Sequence, residues 1–212
     1  MKRKMKFTAM LLSLALMAGL FQTAGAGLLT AEAADFSNRY GSDMYRIFNA
    51  QCSAEKMYAS YGEKIYICQV DYDETTLGSF HGIFLPMLTS VIGGFASFGD
   101  FGTAGYSGMA AKFDRYLASF LHTGNPNGQD TGAGWTCWTP ADRRSMIFDG
   151  DENGGIAEMR DVSSSYAAII RAMKADTSIS EDVKMQLIRT VMNGRWFSAE
   201  MDRYFRNPSL WK

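Results

Sequence analysis

The sequence is poor in the groups on which most enzyme and metal chemistry rests. It has two histidines in 212 residues, His81 and His122, and three cysteines, Cys52, Cys68 and Cys137. The cysteines lie too far apart for a metal-ligand motif, and their odd number leaves at least one thiol outside any intrachain disulfide. Which pair a single disulfide would join stays open, and small buried hydrophobes is the plainer reading of all three. The net charge is −1, which removes the basic field that nucleic-acid binding needs. Internal repeats and low-complexity tracts are absent, and no cofactor is expected.

What is present begins with an export signal. Met1-Lys2-Arg3-Lys4-Met5-Lys6 is basic, and the apolar run Phe7 to Phe21 is too short to cross a bilayer comfortably. Ala24-Gly25-Ala26 and Ala31-Glu32-Ala33 are both usable cleavage triplets. Cleavage after Ala33 or Ala34 is favoured, giving a leader over 1–34 of bacterial type, a secreted or extracytoplasmic product and no stable membrane span after cleavage. No cysteine follows the apolar run to take a lipid.

Ser42 is read as the cap of a helix to Tyr61, with Met44, Ile47, Phe48, Ala54 and Tyr58 at helical spacing and Gly62 ending it. Lys64 to Tyr72 reads as a strand, and the near-continuous apolarity of Ile65-Tyr66-Ile67-Cys68-Gln69-Val70 predicts burial on both faces. A Gly- and Phe-rich loop with one helical turn fills 86–105. Ser107 then caps a helix to His122 with Met109, Phe113, Tyr116, Leu117, Phe120 and Leu121 on one face, stopped by Gly124. Asn125-Pro126-Asn127-Gly128 is a turn. Ser145 to Phe148 reads as a short strand, Asp149 to Gly155 as an acidic turn, and the remainder as helical. Tyr166, Ile169, Ile170 and Met173 form one apolar stripe. Val183, Leu187, Ile188 and Val191 form another after a Ser180 cap.

The centre of the chain is Gly78-Ser79-Phe80-His81-Gly82-Ile83-Phe84-Leu85-Pro86. A histidine between glycines on a loop after a strand is a common setting for a general base. Three segments in order resemble the C-terminal region of type B carboxylesterases. They are Tyr66 to Tyr72, Phe80 to Pro86, and Phe120-Leu121-His122-Thr123-Gly124-Asn125-Pro126-Asn127 with Trp135 downstream. The helix carrying Tyr45, Phe48 and Ala50 is similar to the family's helix before that strand. The resemblance covers about residues 40 to 150. It implies an α/β fold, the C-terminal part of an α/β-hydrolase with an incomplete sheet, assigned to 35–160, and the apolar stripes beyond it add a helical extension over 161–212. It also implies that His81 is the catalytic histidine, taking a proton from a serine and returning it to a leaving alcohol.

The departures bear on activity. The family's Gly-x-Ser-x-Gly elbow is missing, and its nearest counterpart, Gly105-Tyr106-Ser107-Gly108-Met109, follows the histidine instead of preceding it. The oxyanion loop and acidic triad member would also lie upstream, where there is a leader and one helix. Phe84 replaces the family's glutamate. The chain alone is therefore expected to be inactive, with an ester substrate or a complementing esterase-like chain as its partner. The alternative is a secreted non-catalytic binding or structural module.

Three lesser patterns compete. Ser53-Ala54-Glu55-Lys56 with His122-Thr123-Gly124 echoes serine β-lactamase motifs, against the plainer reading of a solvated helix face. Asp149-Gly150-Asp151-Glu152-Asn153-Gly154-Gly155-Ile156 fits the start of a calcium loop, but Arg160 stands at the twelfth position, which favours a surface turn. Phe80, Phe84, Phe95, Phe98 and Phe101 would line an acyl pocket or simply fill the core.

Overall fold

The computed structural model describes residues 30–76, 78–80, 82–89, 96–188 and 203. The architecture is α/β, with helices and one small mixed sheet. The chain divides into two compact units. One is the continuous stretch Ala54–Val162, and the other joins the segment before it to the segment from Ser163 onward.

The first helix among the described residues, α1 (Ala31–Arg46), starts earlier than the sequence predicts. Thr30 is its cap, with Oγ1 accepting the Ala33 N–H at 3.2 Å, and Ser42 lies inside it. The Ser42 cap is therefore corrected: a serine followed by good helix formers resembles a helix start, but an upstream threonine takes the role. A π-helical turn, Ile47–Gln51, continues α1 into α2 (Cys52–Tyr61). Gly62, at φ +58°, ends the run as expected, with its N–H on the Tyr58 carbonyl.

In the unit that contains α1, the core is formed by Ala33, Phe36, Tyr40, Met44 and Ile47 against α5 (Tyr166–Ala175) and α6 (Glu181–Leu187). The stripe of Ile169, Ile170 and Met173 and that of Leu187 and Ile188 are buried as expected, and Ser180 caps α6. Val191 and the aromatic C-terminal residues Trp196, Phe197, Tyr204, Phe205 and Trp211 lie outside the described residues. The wide π-turn brings Gln51 inward. Its amide donates to the Ser164 carbonyl at 2.9 Å and accepts the Ser164 N–H at 3.1 Å, so a buried side chain pairs with backbone as a strand would. The Tyr40 hydroxyl donates to Asp176 Oδ2 at 2.7 Å.

The Ala54–Val162 unit is built on a three-stranded sheet, β1 (Cys68–Val70), β2 (Ser145–Asp151) and β3 (Gly154–Arg160), in that order. β1 runs parallel to β2, with Cys68 opposite Met146, and β2 runs antiparallel to β3. Between β1 and β2 come a short helix, α3 (Leu85–Leu88), and the long α4 (Ala104–Thr123). A parallel pair needs such a crossover. α4 packs across β2 and β3. Its cap is Thr103, whose Oγ1 accepts the Tyr106 N–H, and not Ser107, which is an exposed residue of the first turns. The better cap is the threonine that also meets the Tyr72 hydroxyl. Gly124, at φ +74°, closes α4 as expected.

Two further expectations change. The strand predicted to be buried on both faces is three residues long and, among the described residues, lies at the edge of the sheet. Cys68 is exposed, and Gln69 and Val70 are half-buried. Its apolar run reflects the flanking Ile65, which is buried beside Trp138, more than a central place in a sheet. The acidic stretch predicted as a surface turn is the tip of a β-hairpin, and the residues after it form β3 instead of helix. The turn itself is only Glu152-Asn153. Asp151 accepts the Asn153 N–H at 2.8 Å, fixing the bend, and Gly154 takes φ +129°. Glycines hid the strand signal.

Gly150 and Gly155 are there because α4 rests on the hairpin backbone to backbone. A Cβ on Gly105 would meet the Asp151 carbonyl oxygen at 2.7 Å. One on Gly108 would run into the Gly155 nitrogen, one on Gly150 into the Gly105 carbonyl, and one on Gly155 into the Gly108–Met109 peptide. No flexible side chain stands in these contacts to give way. Below this seam the helix widens its spacing with larger groups. Met109, Phe113 and Tyr116 meet Met146 and Phe148, with Phe113–Phe148 and Tyr116–Phe148 ring centroids at 5.2 and 5.7 Å.

Gly155→Ala should therefore destabilise the unit by about 3 kcal/mol or more, at the upper end of overpacking costs, seen as a lower midpoint in urea. Gly124→Ala, where the space is open and only the left-handed backbone resists, should cost roughly 1–2 kcal/mol. Equal, small losses at both positions would contradict the seam.

Ser178, through its hydroxyl and backbone N–H, and then Tyr40 and Arg39 hold the Asp176 carboxyl down at about 2. A carboxyl depressed below its unfolded value of about 3.9 contributes stability that is full above that value and is lost as pH falls toward 2. Asp176→Asn should flatten the loss of α-helical signal between about pH 4 and pH 2. An unchanged acid limb in that variant would contradict the assignment.

Candidate functional site

The candidate site is the loop that leaves the C-terminal end of β1. His81 lies outside the described residues, as do Leu77 and Phe95, so the loop is described through its neighbours. Gly78 and Gly82 both have positive φ, +70° and +88°, a conformation that glycine adopts without a Cβ penalty. The loop is tied down on both sides of position 81. On the near side, the Ser79 hydroxyl donates to the Val70 carbonyl at 2.7 Å, and the Thr75 hydroxyl donates to the Gly78 carbonyl at 2.6 Å. On the far side, Ile83 is buried, and its carbonyl accepts from the Tyr106 hydroxyl at 2.8 Å. Burial, with smaller contributions from Tyr72 and Asp114, raises the Tyr106 phenol well above its ordinary value, so it stays a donor.

Tyr106 links the loop to the rest of the unit. Its ring stacks edge-on against Tyr72 and Phe101, at 5.4 and 4.8 Å between centroids. The Tyr72 hydroxyl meets Thr103 Oγ1 at 3.0 Å. The end of the strand, the loop after it and the start of α4 are thus fastened at one point. Sequence reasoning did not single out Tyr106 or Thr103. The available signal was a tyrosine three residues after a threonine at the start of an amphipathic run.

Ser107 is in regular helix, exposed, with its N–H on the Thr103 carbonyl at 2.9 Å. That is not the sharp strand-to-helix turn that presents a nucleophilic serine. Phe101 belongs to the core, Phe80 pairs with Phe98 at 5.3 Å, and Phe84 is 41% exposed. The described phenylalanines thus divide between the core, where Phe80 packs on the cluster that holds Phe101, and the exposed Phe84. His122 stands exposed in the last turn of α4. Ser53 and Lys56 are exposed on α2, a solvated helix face.

The Asn-Pro-Asn segment does structural work. The Asn127 side chain accepts the Trp135 N–H at 2.7 Å and donates to the Trp135 carbonyl at 2.9 Å. Trp135 is thereby set against Tyr116, Phe148 and Tyr66, with centroids 5.6 to 6.0 Å away. The Tyr116 hydroxyl donates to the Ala133 carbonyl. The segment closes the core beneath α4.

At the C-terminal ends of the parallel pair, Asp71 and Asp149 follow the paired residues Val70 and Phe148. Arg160 reaches Asp71 at 3.3 Å and Glu158 at 3.0 Å. Burial, aided by the charges of Asp71 and Asp73, raises the Asp149 carboxyl above its usual range, against the opposing pull of the Gly150 N–H and Arg160. Asp149 Oδ1 accepts that Gly150 N–H at 2.7 Å, and Asp151 is engaged by Asn153, so the calcium-loop oxygens serve the hairpin. Among the described residues no group of three acidic, histidine or cysteine side chains is placed to hold a metal ion. The three cysteines are unbridged. Cys137 Sγ donates to the Glu63 carbonyl, and Cys52 packs on the α1 core. No helix among the described residues is long and apolar enough to cross a membrane.

No family model matches this chain, and neither a curated protein nor a solved structure does.

Proposed function

We propose that this is an exported carboxylesterase-like protein that carries the family's histidine-bearing C-terminal segment of an α/β-hydrolase and does not hydrolyse esters by itself. The observation that carries this reading is the loop at the end of β1. It combines two left-handed glycines around position 81, a buried Ile83 held by Tyr106, and a parallel strand pair whose crossover contains α4. The carboxyl ends of parallel strands are where α/β proteins place their ligands, and a loop that leaves such an end supports a base at position 81. In that reading His81 is the general base, and the serine, the acid and the oxyanion donors come from elsewhere. Ser107, the nearest serine to an elbow motif, is supported by helical hydrogen bonding and not by a strained turn, which favours inactivity.

A second reading, a secreted non-catalytic binding or structural module, is favoured by one specific observation. The outward carbonyl of Val70 on the open edge of β1 is already taken by the Ser79 hydroxyl. An edge blunted in this way needs a neighbouring strand less.

The test is hydrolysis of a short activated aryl ester by the purified exported chain beside its His81→Ala variant. Equal background in the two is expected, since loss of triad members leaves little catalysis. Activity abolished by the substitution would contradict the inactive reading, with Ser107 the first nucleophile to replace.

A further inference from the structure

The two candidate processing triplets, Ala24-Gly25-Ala26 and Ala31-Glu32-Ala33, are equivalent as short sequence patterns, and the folded protein separates them. The second triplet lies in the first turn of α1. Thr30 caps that turn through its Oγ1 on the Ala33 N–H, and its carbonyl accepts the Ala34 N–H at 3.1 Å. Ala33 has 0% exposure, packed in the same core as Phe36 and Tyr40. Cleavage after Ala33 or Ala34 would remove the cap and a core residue together. It would also leave a new ammonium group at the N-terminus of α1, where the helix dipole already concentrates positive charge. Cleavage after Ala26 removes none of these and stands close behind the apolar run that ends at Phe21.

We infer that the processing site is the Ala26–Gly27 bond, so that the mature chain begins at Gly27 and keeps the Thr30 cap. Hydrolysis of that peptide bond by a signal peptidase consumes one water and releases the leader with a free carboxylate on Ala26. The inference rests on the export reading, and it reverses the preference that sequence pattern alone suggests.

The experiment is expression of the full chain in an export-competent bacterium, followed by N-terminal sequencing and intact mass of the product. A first residue of Gly27 is expected. Ala26→Leu should abolish or redirect that cleavage, whereas Ala33→Leu should leave the first residue unchanged even if the product folds poorly. A product beginning at Ala34 or Asp35 would overturn this inference and leave the export reading intact. An uncleaved product beginning at Met1 would overturn both.

Discussion

The Ala54–Val162 unit depends on the approach of one helix to one hairpin. Gly105 and Gly108 on α4 lie against Gly150 and Gly155, with main chain on main chain. Ordinary side chains at these positions would hold the helix further off the sheet. Here the missing Cβ atoms let the first turns of α4 settle onto the β2–β3 hairpin, while Met109, Phe113 and Tyr116 further along fill the wider space above Met146 and Phe148. Everything at the candidate loop is referred to that contact. Tyr106 lies between the two helix glycines, and from that fixed point it holds Ile83, Tyr72 and Phe101.

This seam bears on how a three-stranded sheet with an open edge holds its place. Among the described residues β1 has a partner on one side only, and it is three residues long. Its stability comes from β2 and from Ser79 and Tyr106, which satisfy carbonyls at the strand end and in the following loop. β2 in turn is central, paired on both sides and covered by α4. The ordering runs from the helix–hairpin contact to β2, then to β1, and last to the loop that carries position 81.

Much of this was legible in the sequence where one residue type has one physical use. Gly62 and Gly124 end helices because left-handed backbone favours glycine, and the stripes of α5 and α6 have a 3.6-residue period that leaves one reading. The edge character of β1 was not legible, because Ile65-Tyr66-Ile67 supplies the apolarity of a central strand while serving a separate contact with Trp138. β3 was missed because Gly154-Gly155 reads as a turn, whereas Gly154 serves the hairpin bend with its positive φ and Gly155 makes room for α4. The caps were misplaced because Ser42 and Ser107 precede convincing helical stripes. Thr30 and Thr103 prevail through contacts distant in sequence or hidden in a leader-like segment. At the candidate site, the glycine pair around position 81 was visible in the sequence, whereas its anchor, Tyr106, acts across the fold and leaves no local mark.

The most direct test is amide hydrogen exchange on the folded, full-length mature chain, read residue by residue over 54–162. The amides of β2 from Met146 to Phe148 and of α4 from Met109 to Tyr116 should be the slowest of this unit and should exchange with one common opening free energy. Those of β1 should be faster, and the flanking residues Gly78 to Gly82 faster still. If β2 and α4 exchange at the rate of an unfolded chain until an esterase-like partner is added, the helix–hairpin contact does not hold the unit together and the account fails.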